Sequence, residues 1–233
     1  FEATVVRADD AELSQDLAGD PTGKTWTATF TASAGFEGSG SVTVAAGSYT
    51  DAAGNPGGTG GDTVAIDTAP PTPGITLAAN ISADDIINAA EAAGNVTVTG
   101  TVTGARNGDT VTLTVNGTDF SGTVAAGAFS IAVTGAALVA DPDLSIDATV
   151  LATDAAGNSA TATDTETYTV DTTAPGVTVD IADAALNVGD STSLVTFSFS
   201  EAPLGFGLAD LTLVGGSISA LSQDLAGDPT GKT

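Results

Sequence analysis

Threonine alternates with valine, leucine and isoleucine along much of this chain, at a period of two. The words NVTVTGTVTG (95–104), DTVTLTV (109–115), DFSGTV (119–124), FSIAV (129–133), IDATVLAT (146–153) and TYTV (167–170) carry the pattern through the middle. WTATFT (26–31), SVTV (41–44) and TVAI (63–66) carry it near the start, and VTVDI (177–181), LVTFSFS (194–200) and LTLV (211–214) near the end. Successive side chains of a strand point to opposite faces, so the pattern predicts short antiparallel strands with one face buried. Turn residues interrupt it about every 8 to 12 positions, the spacing of an all-β sandwich. Helical periodicity is nearly absent. The one exception is SADDIINAAEAA (82–93), where Ser82 is placed to cap a turn or two of helix carrying Asp85.

Repetition organises these strands into units. TDAAGN occurs at 50–55 and again at 153–158, so Asp51 and Asp154 are 103 residues apart. Two Asp-Thr words that run into Ala-Pro, at Asp67 and Asp171, are 104 apart, and SQDLAGDPTGKT recurs without change at 14–25 and 222–233, an offset of 208. The simplest parse is an alternating array of two module types, A-B-A. It gives the C-terminal part of a first domain at 1–69, a complete domain at 70–172 and the N-terminal part of a further domain at 173–233. Joined end to end, the two outer pieces would make one module. About seven strands in roughly 100 residues suit an immunoglobulin-like sandwich, so the fold class is all-β, tandem sandwiches in an extended array. With no initiator Met, the chain is read as an excised piece.

Composition narrows the chemistry. Asp and Glu outnumber Lys and Arg by 29 to 4, a net charge of -25. Such a chain repels nucleic acid and anionic membranes, and no apolar run is long enough to span a bilayer, so neither is expected as a partner. It attracts cations. Without His or Cys, imidazole catalysis, thiolate chemistry and disulfides are excluded. Paired carboxylates could still hydrolyse glycosides, but an aromatic content of 5% leaves few stacking platforms for sugars. No enzymatic activity is expected.

Individual motifs add little to that. AGDPTGKT (18–25) fits a relaxed phosphate-loop pattern, yet a strand-like word follows where a helix is required, and a hairpin loop explains it better. GGTGGDTVA (57–65) matches a calcium-binding nonapeptide once, whereas a β-roll needs stacked copies; it reads as a loop feeding a strand. DAAGN lacks the acidic spacing of an EF-hand. The sequons at Asn80, Asn95 and Asn116 are what a Thr-rich chain produces by chance.

By itself TDAAGN is a β-turn. Its company is more informative. Each copy is followed, 16 or 17 residues on, by Asp67 or Asp171 at a strand end before a Pro-bearing linker. An acidic loop lies beyond each linker: Asp84, Asp85, Asn88 and Glu91 after the first, Asp180, Asp183, Asn187 and Asp190 after the second. If the turns Asp51–Asn55 and Asp154–Asn158 share a pole with these groups, carboxylates converge where two domains meet. A hard cation is needed to offset their repulsion, and Ca2+ accepts about six to eight oxygens in flexible geometry.

At these residues the chain resembles a known family. TDAAGN with VDTTAP, and IINAAEAAGNVTVTGTVTG with GDTVTLTVNG, are similar to tandem bacterial immunoglobulin-like repeats. TSLVTFSFSEAPLGFGLADLTLVGG resembles a second type of the same repeats. Both types occur in the long extender regions of RTX-type biofilm adhesins. The resemblance covers essentially the whole chain, except that FEATVVRADDAE (1–12) departs from its counterpart ADLTLVGGSISA. It implies calcium-rigidified linkers, a spacer role that projects a ligand-binding tip, and export to the bacterial cell surface. Two other roles stand beside it: a domain that itself binds glycan or protein, and an accessory module of a secreted enzyme. Expected partners are neighbouring repeats of the same chain, and strand complementation between half-domains of different copies.

Overall fold

The computed structural model describes residues 14–15, 18–19, 21–223, 227 and 229–232. The divergent stretch 1–12 lies outside them, as do parts of both copies of the twelve-residue repeat. In chain order the strands begin with β1 (Ser14–Gln15), β2 (Trp26–Thr27), β3 (Glu37–Val44) and β4 (Gly60–Asp67). A central group follows: β5 (Gly74–Leu77), β6 (Ile86–Ile87), helix α1 (Ala89–Ala92), β7 (Asn95–Thr103), β8 (Thr110–Val115) and β9 (Thr118–Thr123). It continues through β10 (Ala128–Thr134), helix α2 (Gly135–Ala140), β11 (Ser145–Thr153), β12 (Ser159–Thr167) and β13 (Thr169–Val170). Beyond it lie β14 (Val177–Ile181) and β15 (Val195–Phe199).

The central group is an immunoglobulin-like sandwich. One sheet has the order β10-β7-β5 and the other β12-β11-β8-β9, all antiparallel. The period-two pattern is the cause. In β7, Val96, Val98 and Val102 are buried while the threonines between them are exposed; in β11, Ile146, Ala148, Val150 and Ala152 face inward. Each fully buried Val, Leu or Ile contributes about 1.5–3 kcal/mol relative to exposure, so these faces hold the two sheets together. Among the described residues, every buried hydrophobic side chain lies between Ile75 and Tyr168.

A two-stranded pair outside both sheets joins an early strand to the last one. β6 leaves the first sheet and pairs in parallel with β13, Ile86 beside Thr169 and Ile87 beside Val170. Asp164 Oδ2 accepts the Leu77 N–H at 2.7 Å, tying β12 to β5 across the two sheets. Helix α1 packs on α2 at one end. A Cβ on Gly135 would run into the Glu91 carbonyl, so only glycine permits that approach, and its N–H donates to Gly94 O at 2.9 Å.

Several expected elements fall elsewhere. Ser82 caps no helix; its hydroxyl donates to Asp84 Oδ1 and Ile86 O. The helix starts after Asn88, whose Oδ1 accepts from Ala90 and Glu91 N–H while Glu91 Oε2 accepts from Asn88 N–H. Pairing with β13 holds Ile86–Ile87 extended, and that overrides the helical start at Ser82. Only Trp26–Thr27 of WTATFT is strand, and LTLV (211–214) is not one. A strand needs a neighbour for its N–H and C=O groups, and neither word has a full-length one among the described residues.

The outer segments are hairpins. β3 and β4 pair from Glu37–Asp67 to Val44–Gly60, and β14 pairs with β15 from Val177–Phe199 to Ile181–Val195. Val42, Val44 and Val64 of the first are exposed, as are Val177, Val179 and Ile181 of the second. Phe206 packs against Phe197 and Phe199, with ring centroids 5.3 and 4.9 Å apart.

Candidate functional site at the domain junction

The β11–β12 turn spells Asp154 to Asn158 and is built around one carboxylate. Asp154 Oδ1 accepts the N–H groups of Ala156 and Asn158, each at 2.9 Å. Asp154 Oδ2 accepts from Asn158 Nδ2 at 2.8 Å, and Gly157 supplies the left-handed residue at φ 95°. The equivalent turn in the first segment is the same object. Asp51 Oδ1 accepts from Ala53 and Asn55 N–H at 2.9 Å, Asp51 Oδ2 accepts from Asn55 Nδ2 at 2.7 Å, and Gly54 sits at φ 88°. The Asn side-chain donor is the main cause holding each Asp carboxyl below its ordinary range, so both stay ionised to lower pH.

What distinguishes the second turn is a partner. Asn158 Nδ2 also reaches Asp67, its backbone oxygen at 3.2 Å and its Oδ1 at 3.3 Å. One amide therefore joins Asp154, inside the sandwich, to Asp67, the last residue of β4 before the linker. Asp109 stands on the same rim, its Oδ2 accepting from Arg106 N–H at 2.7 Å and Thr153 N–H at 3.4 Å.

This grouping differs from the pairing of each turn with the Asp-Thr word that follows it. β12 is extended, and a strand rises about 3.3 Å per residue, so the thirteen residues from Asn158 to Asp171 separate them by roughly 40 Å. The turn lies at the entry pole of the sandwich and Asp171 at the exit pole. By the same geometry the Asp51 turn lies at the far end of β4 from Asp67.

The first acidic loop also goes to the exit side. Asp171 N–H donates to Ile87 O at 3.1 Å, which puts Asn88 and Glu91 near Asp171 rather than Asp67. Asp85, at φ 64°, accepts from Ile81 N–H with Oδ1 and from Thr169 N–H with its carbonyl. Asp84 Oδ1 accepts from Ile86 N–H. These four residues serve the local chain. In the last segment Asn187 Oδ1 accepts from Gly189 and Asp190 N–H, and the Asp183 N–H donates to Ser193 Oγ.

Asp67 and Asp171 each open a linker with an Asx turn. Asp67 Oδ1 accepts from Ala69 N–H at 3.2 Å and Asp171 Oδ1 from Thr173 N–H at 3.0 Å. Among the described residues no group of three or more His, Cys, Asp or Glu is arranged to hold a metal ion. At the entry pole the oxygens on hand are the two carboxylates of Asp67 and Asp154, the Asp67 carbonyl and the Asn158 amide. That hard-oxygen donor set fits a calcium ion in chemistry and only in part in number.

Sequence reasoning passed over several acidic residues the fold uses, among them Asp164, Asp109 and Asp141. Asp109 had a signal, since it follows Asn107-Gly108 just ahead of β8. Asp141, buried beneath the Tyr168 hydroxyl, had almost none.

Comparison with known proteins finds a family and several solved structures. A family model described as Bacterial Ig-like domain matches residues 1–68 and 171–228, just over half the chain. A solved bacterial immunoglobulin-like domain from the M. primoryensis ice-binding adhesin is 46% identical, covering 44% of this chain and 98% of that one, with a TM-score of 0.39. A Ca2+-stabilized adhesin that helps an Antarctic bacterium reach out and bind ice is 46% identical over 60% of this chain and 34% of that one, with a TM-score of 0.49. A structure concerned with host cell surface retention of a 1.5-MDa bacterial ice-binding adhesin is 45% identical, with a TM-score of 0.48. The chain spans 42% of that structure, which covers 58% of this chain. No curated protein matches.

Proposed function

We propose, because this chain belongs to the bacterial Ig-like domain family, that it is a structural extender module of a bacterial cell-surface adhesin, rigidified by calcium where its domains meet. The observation that carries the reading is the Asn158 amide shared between Asp154 and Asp67. It ties the turn of one sandwich to the final residue of the strand before the linker, so the linker cannot swing freely. Domain limits at 1–69, 70–172 and 173–233 follow from the same reading.

Ca2+ would be held by Asp67, Asp154 and Asn158, with Asp109 near by. Bound there it would neutralise carboxylates that a net charge of -25 otherwise drives apart. At the exit pole Asp171 stands where Asp67 stands one repeat earlier, ready for the turn of the next domain. Asp183 and Asp190 belong to that next domain. Asp84, Asp85, Asn88 and Glu91 contribute from the exit side, since the Asp171 N–H bond to Ile87 O places their loop beside Asp171. The role is mechanical, with the module standing outside the cell and holding a ligand-binding tip away from the surface.

Because the chain has no Cys, spin labels can be placed singly on β4 and β12. Calcium is expected to narrow the distribution of distances between them, and to raise the melting temperature by the linkage RT ln(1 + [L]/Kd), about 2.7 kcal/mol at 100-fold over Kd. Asp67→Ala should remove the narrowing at this junction while Asp171→Ala leaves it. Distance distributions and melts indifferent to chelator would overturn the calcium part of the reading.

A further inference from the structure

Three oxygen atoms from two segments of the chain converge on one nitrogen. Asn158 Nδ2 lies 2.8 Å from Asp154 Oδ2, 3.3 Å from Asp67 Oδ1 and 3.2 Å from the Asp67 backbone oxygen. Two of these acceptors are carboxylates, which repel each other when brought together. Of the chain's four basic residues only Arg106 lies within 70–172, so little positive charge is on hand to offset that. An amide carries no net charge, yet its N–H groups turn the positive end of a dipole toward both carboxylates.

Both acceptors are fixed by their own surroundings. Asp154 Oδ1 is held by the Ala156 and Asn158 N–H groups, and Asp67 Oδ1 by the Ala69 N–H. The linker after Asp67 is stiff. It reads Thr-Ala-Pro-Pro-Thr-Pro, and Pro70, Pro71 and Pro73 each lock a backbone φ. It also rests on the sandwich, because a Cβ on Gly104, whose φ is 65°, would run into the Thr72 carbonyl and Pro73. That close approach seats the far end of the linker just past β7, while Asn158 holds its near end. Burial along β4 agrees: Gly60–Ala65 is exposed, and only Ile66 and Asp67 are half-buried. A segment already restrained has little freedom left to lose, so one neutral contact has a large effect on it.

We propose that Asn158 is a calcium-independent latch, whose amide keeps the Asp67 junction closed while no metal is bound. The proposal rests on the tandem-domain reading but not on calcium itself. Asn158 is then a positioning residue, gripping β4 through the main chain of its last residue as well as through a side chain. Calcium arriving at the same oxygens strengthens a junction that is already closed in part. An aspartate at 158 would remove the donor and add a third carboxylate, so the junction would open whenever calcium is withdrawn. Amide in place of carboxylate at this one position sets how the junction behaves when calcium is scarce.

The test uses the full chain labelled on β4 and β12, with distances read in chelator and across a calcium titration. Wild type in chelator should keep a narrow component. Asn158→Ala and Asn158→Asp should each lower the closed-to-open ratio there roughly three- to tenfold, the weight of one hydrogen bond. Calcium should return Asn158→Asp to the narrow distribution, which a turn merely broken by the substitution would not do. Asn55→Asp is the control. It breaks the equivalent contact to Asp51 Oδ2 at the far end of β4, without touching Asp67, and should match wild type. A wild type as broad in chelator as Asn158→Ala, or equal widening by Asn55→Asp, would overturn the proposal. Loss of closure in chelator with Asn158→Ala, and no response of any chain to calcium, would uphold the latch and sink only the calcium reading.

Discussion

Tyr168 turns its hydroxyl inward between β12 and β13, donating to Leu138 O at 2.7 Å with Asp141 Oδ2 at 3.2 Å. Asp141 is buried too, and its Oδ2 also accepts from Ser145 N–H at 3.2 Å. Burial first, and the Asp141 charge second, push the phenol above its ordinary value of 10.0. A raised folded pKa means the folded state holds its proton more tightly. The stability this contributes is complete below pH 10 and is lost as pH rises toward the folded value. Tyr168→Phe leaves the Leu138 carbonyl and Asp141 short of a donor, which costs about 1–3 kcal/mol. Denaturant melts should show that loss at neutral pH and a shallower decline in stability above pH 10 than wild type. At this scale the sequence was legible where a residue acts through its neighbours in sequence, as Asp154 does through Ala156 and Asn158. It was silent on Asp141, because the partner that gives it a role is 27 residues away.

Elements were readable in proportion to the size contrast between their two faces. β7, β8 and β10 set Val, Ile, Leu or Phe against mostly Thr, Ser or Ala, β11 keeps Ile146 and Val150 on its inward row, and each forms where the pattern predicts. β12, SATATDTET, was not singled out: its less exposed row is Ala160, Ala162, Asp164 and Glu166, and small or acidic side chains there give no amphipathic contrast. β6 failed for the opposite reason, since Ile86–Ile87 is too short to show a period and becomes a strand only when β13 arrives. Ile87 has no exposed surface, and Ile87→Ala should cost about 2–5 kcal/mol, read as a lower denaturation midpoint of the central domain. Val179→Ala, in exposed β14, should leave that midpoint within about 0.5 kcal/mol of wild type. The site was half legible by the same measure. Its residue types and its two turns were plain, but which turn meets which strand end depends on the length and direction of β12.

Across the whole molecule the repeat spacing of 103 and 104 residues announced the array before any strand was placed. The direction of the chain through the central sandwich could not be read in that way. It enters at Gly74 beside the Asp154 turn and leaves at Val170 toward the opposite pole, with β6 and β13 side by side and pointing the same way. In the extender role proposed above, load would reach this segment end to end. Tension arriving through the Asp67 linker leaves past Asp171, so it runs lengthwise along the β6–β13 pair. Parallel neighbours pulled from opposite ends slide past one another, and the Thr169–Asp85 and Asp171–Ile87 hydrogen bonds must then fail together instead of one after another. Thr169→Pro deletes the first of these donors. Pulled end to end on single molecules, that variant should yield at a clearly lower force than wild type, and equal rupture forces would show that the load takes another path. A strand pair of two residues each thus sets how hard this segment can be pulled before it lets out slack.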